Sequence, residues 1–335
     1  MKLQILVPQY LETENVIRPL LDSIEIQQNV DLVNDVGVII VNDGSDVQLS
    51  DEFLSRYSFP ITYILKRHGG VSAARNKALD EATATYVMFC DADDMFYNAC
   101  GLYILFREIN DTPFDALVSV FIEETRINDR KEIAYVNHSI DQTFVHGKVY
   151  RLEYLRDNNI RWNDDLTIHE DSYFNCLAIK STETVKFCPT PFYLWRWRDD
   201  SVCRHDPKYI LKTYNNMLDS NTALVHAFAD RGKVKIAKSH VAQMVYDAYF
   251  TMNKKEWLDQ ENQEYRKNTE RRFKRYYDEF KDYFDTIEDS ERTQIIIGIK
   301  NRMFAEGLLM ESITFDDWIL KINKDYSKEV GGDSC

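Results

Sequence analysis

Short, continuously apolar runs alternate with segments of helical apolar spacing through the N-terminal part of the chain, and this alternation constrains the fold more than any other feature. Residues 3–8 (LQILVP) and 36–41 (VGVIIV) are two such runs, closed by Pro8 and by Asn42-Asp43-Gly44-Ser45. An apolar run that ends in turn residues reads as a strand buried on both faces of a parallel sheet. Between the two, Val16, Ile17, Leu20, Leu21 and Ile24 recur at helical spacing. Thr13 and Glu14 stand ahead of them, placed to cap and charge the first turn. The pattern repeats with a strand over 61–65, a helix over about 72–81 and a strand over 86–90 that runs into Asp91-Ala92-Asp93-Asp94. The expected fold is therefore α/β, a doubly wound, mostly parallel central sheet flanked by helices. In such sheets ligands bind at the carboxyl ends of the strands. Topology alone brings Pro8-Gln9-Tyr10, Asn42-Asp43-Gly44-Ser45 and the Asp91 cluster to that edge.

Further along, residues 116–121 (ALVSVF) read as another strand, with 132–136 pairing to it as a hairpin or an edge. After Asp206 the strand signals stop and apolar residues recur at helical spacing, as in Ile210, Leu211, Tyr214, Met217 and Leu218. The expected organisation is an α/β domain over 1–206, a helical region over 207–330 and a flexible tail over 331–335. A chain of 335 residues has room for one large domain and a smaller appendage.

A net charge of −14 argues against nucleic acid as a partner, because phosphate binding needs a basic face. The six cysteines form no CxxC pair and no regular spacing, which suggests neither a zinc site nor a disulfide framework, and free thiols suit a reducing cytoplasm. The N-terminal apolar run is too short for a signal peptide, and no stretch reaches the ~20 residues that cross a bilayer. A cytoplasmic location is expected, with at most peripheral contact at the inner face of a membrane. No GxGxxG follows the first strand, which excludes a dinucleotide-binding dehydrogenase.

Four segments carry candidate chemistry, and each also has a plainer reading. Asp91-Ala92-Asp93-Asp94 offers carboxylates one residue apart at a strand end, suited to a hard divalent cation on a diphosphate, or else a helix cap. In His68-Gly69-Gly70-Val71-Ser72-Ala73-Ala74-Arg75-Asn76 the glycines permit close backbone approach and a helix start favours phosphate; the alternative is an ordinary strand-to-helix turn. Glu170 and Asp171 precede an apolar helical stretch and provide either a general base or a helix cap. In Tyr193-Leu194-Trp195-Arg196-Trp197-Arg198-Asp199-Asp200-Ser201, strand alternation would put Arg196 and Arg198 on one face and Trp195 and Trp197 on the other.

Taken in order, these pieces resemble the family 2 glycosyltransferases of the GT-A fold. The matching segments are Val7-Pro8-Gln9-Tyr10, Val41-Asn42-Asp43-Gly44-Ser45-Asp46, Gly70 to Asn76, Asp91 to Asp94, Glu170 to Phe174 and Arg196 to Ser201, within about residues 1–205. The resemblance implies an inverting transferase with a nucleotide-sugar donor and Mn2+ or Mg2+. Donor binding would fall to Pro8, Tyr10, Glu12, Asp43, Arg75, Asp91, Arg196 and Ser201, with Tyr10 stacked on the base, Asp43 accepting from the base edge, and Arg75 near the diphosphate or base. Asp93 would ligate the metal, with His205 as a further contact. Asp171 would be the base and Glu170 would orient hydroxyls. Gln9 departs from the pattern of many relatives.

The donor sugar stays open on sequence grounds, as does the acceptor, whether glycan, polymer or lipid-linked. A non-catalytic nucleotide-sugar-binding protein is the alternative, as is a transferase for a phosphate-rich acceptor such as teichoic acid or modified DNA. Arg266, Lys267, Arg271, Arg272, Lys274 and Arg275 read as a solvated helix face or as a patch for an anionic acceptor. The helical region has enough apolar positions for a homo-oligomer interface.

Overall fold

A computed structural model describes residues 1–127, 132–199, 209–258, 262–305 and 313–326. Ser201, His205, the expected boundary after residue 206 and the tail 331–335 lie outside the described residues. The chain divides into two compact units, Met1–Val202 and Cys203–Cys335.

In the first unit the elements follow in the order β1 (Leu3–Gln9), α1 (Glu14–Glu25), α2 (Leu32–Asp35), β2 (Val36–Asn42), α3 (Asp51–Leu54), β3 (Ile61–Leu65), α4 (Val71–Glu81), β4 (Tyr86–Phe89), β5 (Met95–Phe96) and α5 (Gly101–Asp111). They continue with β6 (Ala116–Ser119), β7 (Phe121–Ile127), β8 (Glu132–His138), β9 (Lys148–Arg151), α6 (Leu152–Asp157), α7 (Glu170–Lys180), β10 (Val185–Cys188) and β11 (Tyr193–Trp195). Seven strands form the central sheet in the order β10-β6-β9-β4-β1-β2-β3. All neighbours are parallel except β9, which runs against β4 and β6.

Burial explains why these runs are strands. Leu3, Ile5, Leu6 and Val7 are 0% exposed, and β2 is buried along its whole length. Both faces are covered, so the residues need no alternation. The α1 helix lays Ile17, Leu20, Leu21 and Ile24 onto the sheet. Pairing runs from Leu3 opposite Val36 to Gln9 opposite Asn42, so the two strands end level and their loops emerge side by side.

Two expectations are corrected. The run 116–121 divides between two sheets: β6 joins the central one, while β7 joins a four-stranded sheet of order β5-β11-β7-β8. The switch comes at Val120, whose N–H donates to Cys188 O (3.1 Å). The hairpin partner β8 consequently pairs with β7, not with the whole run. The alternation over 193–201 continues as a strand only through Trp195, and Trp197 is half-buried with its indole N–H donating to Asp199 (3.0 Å).

The second unit is helical among its described residues: α8 (Tyr209–Lys212), α9 (Tyr214–Asp230), α10 (Val234–Met252), α11 (Lys255–Leu258), α12 (Gln263–Asp285), α13 (Asp289–Ala305) and α14 (Phe315–Tyr326). The buried helix α10 packs against α9, α12 and α13. On α12, Arg266 pairs with Glu270 (3.1 Å), Arg272 with Asp219 and Lys274 with Asp278, while Arg271 lies over the Tyr326 ring. Acids within the same unit thus meet three of the six basic residues, as on a solvated helix face. No helix among the described residues is long and apolar enough to cross a membrane.

Candidate active site

The strand ends build a cleft of about 310 Å³, within the range of small-molecule sites. Pro8 lines it from the end of β1, Tyr10 and Glu12 from the loop that follows, Asp43 from the loop after β2, Gly70 and Val71 from the start of α4, and Asp91 and Asp93 from the loop after β4. Gln9 points inward, 1% exposed, and its amide donates to Glu12 O (2.8 Å) and Val47 O (3.0 Å). The residue that departs from the family pattern thus fixes the cleft from beneath. Tyr10 is 43% exposed, and its ring lies 4.7 Å from that of His68.

Asp43 is 3% exposed and fully engaged. Its carboxylate accepts from Gly69 N (3.0 Å), Gly70 N (2.7 Å) and Lys66 Nζ (2.5 Å), and His68 Nδ1 stands 2.9 Å away. Its direct work is to hold the 66–70 loop beneath Tyr10. Gly44, at φ +77°, lets that loop close: a Cβ there would sit 2.5 Å from His68 N. Gly70, at φ +89°, turns the chain into α4, whose first residues face the cleft as an N-terminus able to take phosphate.

One turn inside α4, Arg75 is 4% exposed and stacked 4.3 Å over the Trp162 ring. Its guanidinium donates to Asp91 (2.8 Å) and to Glu170 (3.0 Å). Burial alone would weaken the charge, but Asp91 and Glu170 raise its pKa above the usual arginine value. Arg75 is therefore spent on joining two acids across the sheet edge, a tie that sequence spacing could not reveal.

The acidic loop splits into distinct roles. Asp91 and Asp93 line the cleft, while Asp94, 1% exposed, accepts from Tyr193 Oη (2.5 Å) and Arg196 N (2.9 Å). Burial, then repulsion from Asp93, pushes the Asp94 carboxyl well above the usual range; burial and Asp91 raise Asp93. Arg198 reaches the Asp93 carboxylate (3.2 Å) and Glu12 (3.9 Å), whereas the Arg196 guanidinium donates to Asp93 O (3.1 Å).

Glu170 and Asp171 open α7, entered through His169 in the left-handed region (φ 63°), a strained conformation for a non-glycine residue. Asp171 accepts from Ser172 N (2.7 Å), so it does help to cap the helix. Burial, with Glu170 beside it, raises the Asp171 pKa to about 7 although the side chain keeps part of its solvent access. A carboxyl so poised can exchange a proton near neutrality. The fold brings Asp91, Asp93, Glu170, Asp171 and Arg75 together, with Tyr10 and Glu12 along the same cleft. Trp162 and His146 were absent from the sequence reading, and His68 and Tyr193 stood in it only at the heads of their segments, with no role of their own.

The glycosyl transferase family 2 profile matches residues 4–172, half of the chain. An uncharacterized glycosyltransferase, EpsJ, of Bacillus subtilis is 27% identical over 223 residues, covering 59% of this chain and 62% of the relative. The teichoic acid poly(glycerol phosphate) polymerase of Staphylococcus epidermidis is 31% identical over 209 residues, 57% of this chain and 28% of that one. The chain thus spans less than two thirds of these relatives. Among solved structures, Staphylococcus aureus TarS 1–349 superposes with a TM-score of 0.62 at 16% identity over 93% of this chain and 96% of that one. Its complex with UDP-GlcNAc gives 0.61 at 18% identity over 93% and 97%. The fold is therefore shared. The family match runs from β1 into the first turn of α7, the span that also carries the acids of the cleft, and on that ground the protein belongs to glycosyl transferase family 2.

Proposed function

We propose that the protein is a metal-dependent inverting transferase that moves a hexose or N-acetylhexosamine from a UDP-sugar to an acceptor hydroxyl, in the synthesis of a glycan or cell-surface polymer. The observation that carries this reading is the Arg75 tie, which sets Asp91 of the donor cleft beside the Glu170-Asp171 pair. UDP as the nucleotide draws support from the TarS structures of the same fold, whose complexes contain UDP and UDP-GlcNAc.

Asp91 and Asp93 fit a divalent cation: two carboxylates line one cleft, and burial, then repulsion from Asp91, raises the Asp93 pKa against the pull of Arg198, so a cation there would relieve a conflict already built in. Mn2+ or Mg2+ bound there would neutralise charge on the departing diphosphate. Tyr10 offers a stacking surface to the base, and the start of α4 offers N–H groups to phosphate. Ionised Asp171 takes the proton of the acceptor hydroxyl as its oxygen bonds to the anomeric carbon. The bond to the diphosphate oxygen breaks with its electron pair leaving on the nucleotide, and the configuration inverts. Glu170, held by Arg75, is placed to orient a hydroxyl.

Thermal shift and slow donor hydrolysis, measured with Mn2+ across a panel of nucleotide sugars, test the reading. One UDP-sugar is expected to raise Tm and to be hydrolysed, and Asp93→Ala to lose both effects. If no nucleotide sugar stabilises the wild type with either metal, the reading fails.

A further inference from the structure

Next to the acidic loop, one face of the four-stranded sheet gathers rings that do not line the donor cleft. Pairing sets Trp195 opposite Glu123 and Phe121 opposite His138, and residues two apart on a strand share a face. The segment before β9 brings Phe144 and His146 onto this face. The Phe144 and Trp195 rings lie 5.9 Å apart, with His146 4.8 Å from Trp195 and stacked 5.6 Å from Phe144. Phe144 is 38% exposed, and beside the rings His138 Nε2 meets Glu123 at 2.6 Å.

This segment is fastened to the reaction centre at both ends. His146 stands 3.8 Å from Asp94. Asn175, one helical turn beyond Asp171 and so on its side of α7, donates to Thr143 O (2.7 Å). Lys148, 1% exposed, donates to Phe144 O and interacts electrostatically with Asp171. The exposed ring of Phe144 is thereby held near the carboxylate proposed as base.

The geometry points to an acceptor subsite in which Phe144 and Trp195 stack against the apolar face of a neutral sugar ring while Glu123 and His138 bond its hydroxyls; this rests on the transferase reading above. The negative face of an aromatic ring attracts the polarised C–H bonds of a pyranose, and a carboxylate and an imidazole supply acceptor and donor. Charge favours a neutral ring over a polyol phosphate. Glu123 lies on the platform's own face and Asp141 precedes Phe144, where Lys148 meets it at 3.9 Å, while Glu124 and Arg126, 3.5 Å apart, share the other face of β7. A polyanionic acceptor would meet like charge here.

Saturation-transfer NMR on the full chain with Mn2+ and UDP tests the subsite, using maltose, lactose and N,N′-diacetylchitobiose against a glycerol phosphate oligomer, with UDP affinity measured calorimetrically in the same samples. At least one neutral disaccharide is expected to receive saturation, most strongly at ring C–H protons. Phe144→Leu should weaken that binding by about 3- to 10-fold while Phe144→Trp retains it, both with wild-type UDP affinity. Silence from all three disaccharides, equal binding by Phe144→Leu, or preference for the phosphate oligomer would overturn the subsite while leaving the donor reading standing. Failure of the wild type to bind UDP would remove both.

Discussion

Arg75 shows how much of this site depends on one buried side chain. It balances Asp91 and Glu170 through a planar fork that lysine cannot reproduce. Arg75→Ala is expected to cost about 2–3 kcal/mol in urea unfolding, because it leaves the half-buried Asp91 and Glu170 without their cation and empties the space over Trp162, and Arg75→Lys should restore little of the loss. A lysine variant with wild-type stability and turnover would contradict the bridging role. Asp171 sets the pH behaviour. Its carboxyl titrates at about 7 in the folded protein against an ordinary value near 3.8. Between those values the native state binds the proton more tightly, so stability from this group is present at low pH and lost as pH rises through about 7. Asp171→Asn should therefore raise Tm by a few degrees at about pH 8 and change it little near pH 4. The base must be ionised, so wild-type kcat/KM should climb through about pH 7. A flat profile from about pH 5.5 to 8.5 would count against Asp171 as the base. Asp93 and Asp171 could be named from sequence because they sit at a strand end and a helix start. The burial of Arg75 and the engagement of Asp94 by Tyr193 arise from partners about a hundred residues apart, which no local pattern encodes.

At the scale of elements, strands buried on both faces announce themselves and half-exposed ones do not. β1, β2 and β4 lie where continuous apolar runs put them. The second sheet was hardly legible: β8 is exposed on both faces, β11 has three residues, and β7 continues an apolar run begun in the other sheet. Loops that shape the cleft depend on backbone that only glycine adopts readily. Gly44→Ala is expected to destabilise by about 1–3 kcal/mol, since it adds strain at positive φ and presses on the His68 backbone. UDP affinity should fall with it, because the 66–70 loop backs Tyr10. Circular dichroism melts paired with UDP titration check this, and a variant that melts and binds like wild type would refute it.

For the molecule as a whole, a parallel sheet could be read from the alternation of elements, and a helical second unit from the loss of strand signals after Asp206. The basic stripe on α12 needed coordinates, because only they show Asp219 and Asp278 answering Arg272 and Lys274. Arg272→Glu should cost less than about 1 kcal/mol and leave donor hydrolysis unchanged, as for a surface pair. Loss of transfer to an acceptor, with donor hydrolysis intact, would revive the anionic-acceptor reading of that helix. On the proposed reading, holding the donor falls to the cleft after β1, β2 and β4, and moving the proton falls to Asp171. The most direct measurement compares wild type with Asp171→Asn for UDP affinity by calorimetry and for UDP-sugar turnover, both with Mn2+. The expected result is affinity within about twofold of wild type and turnover lower by about 10²–10⁴. Turnover at the wild-type rate by the asparagine variant would contradict the account.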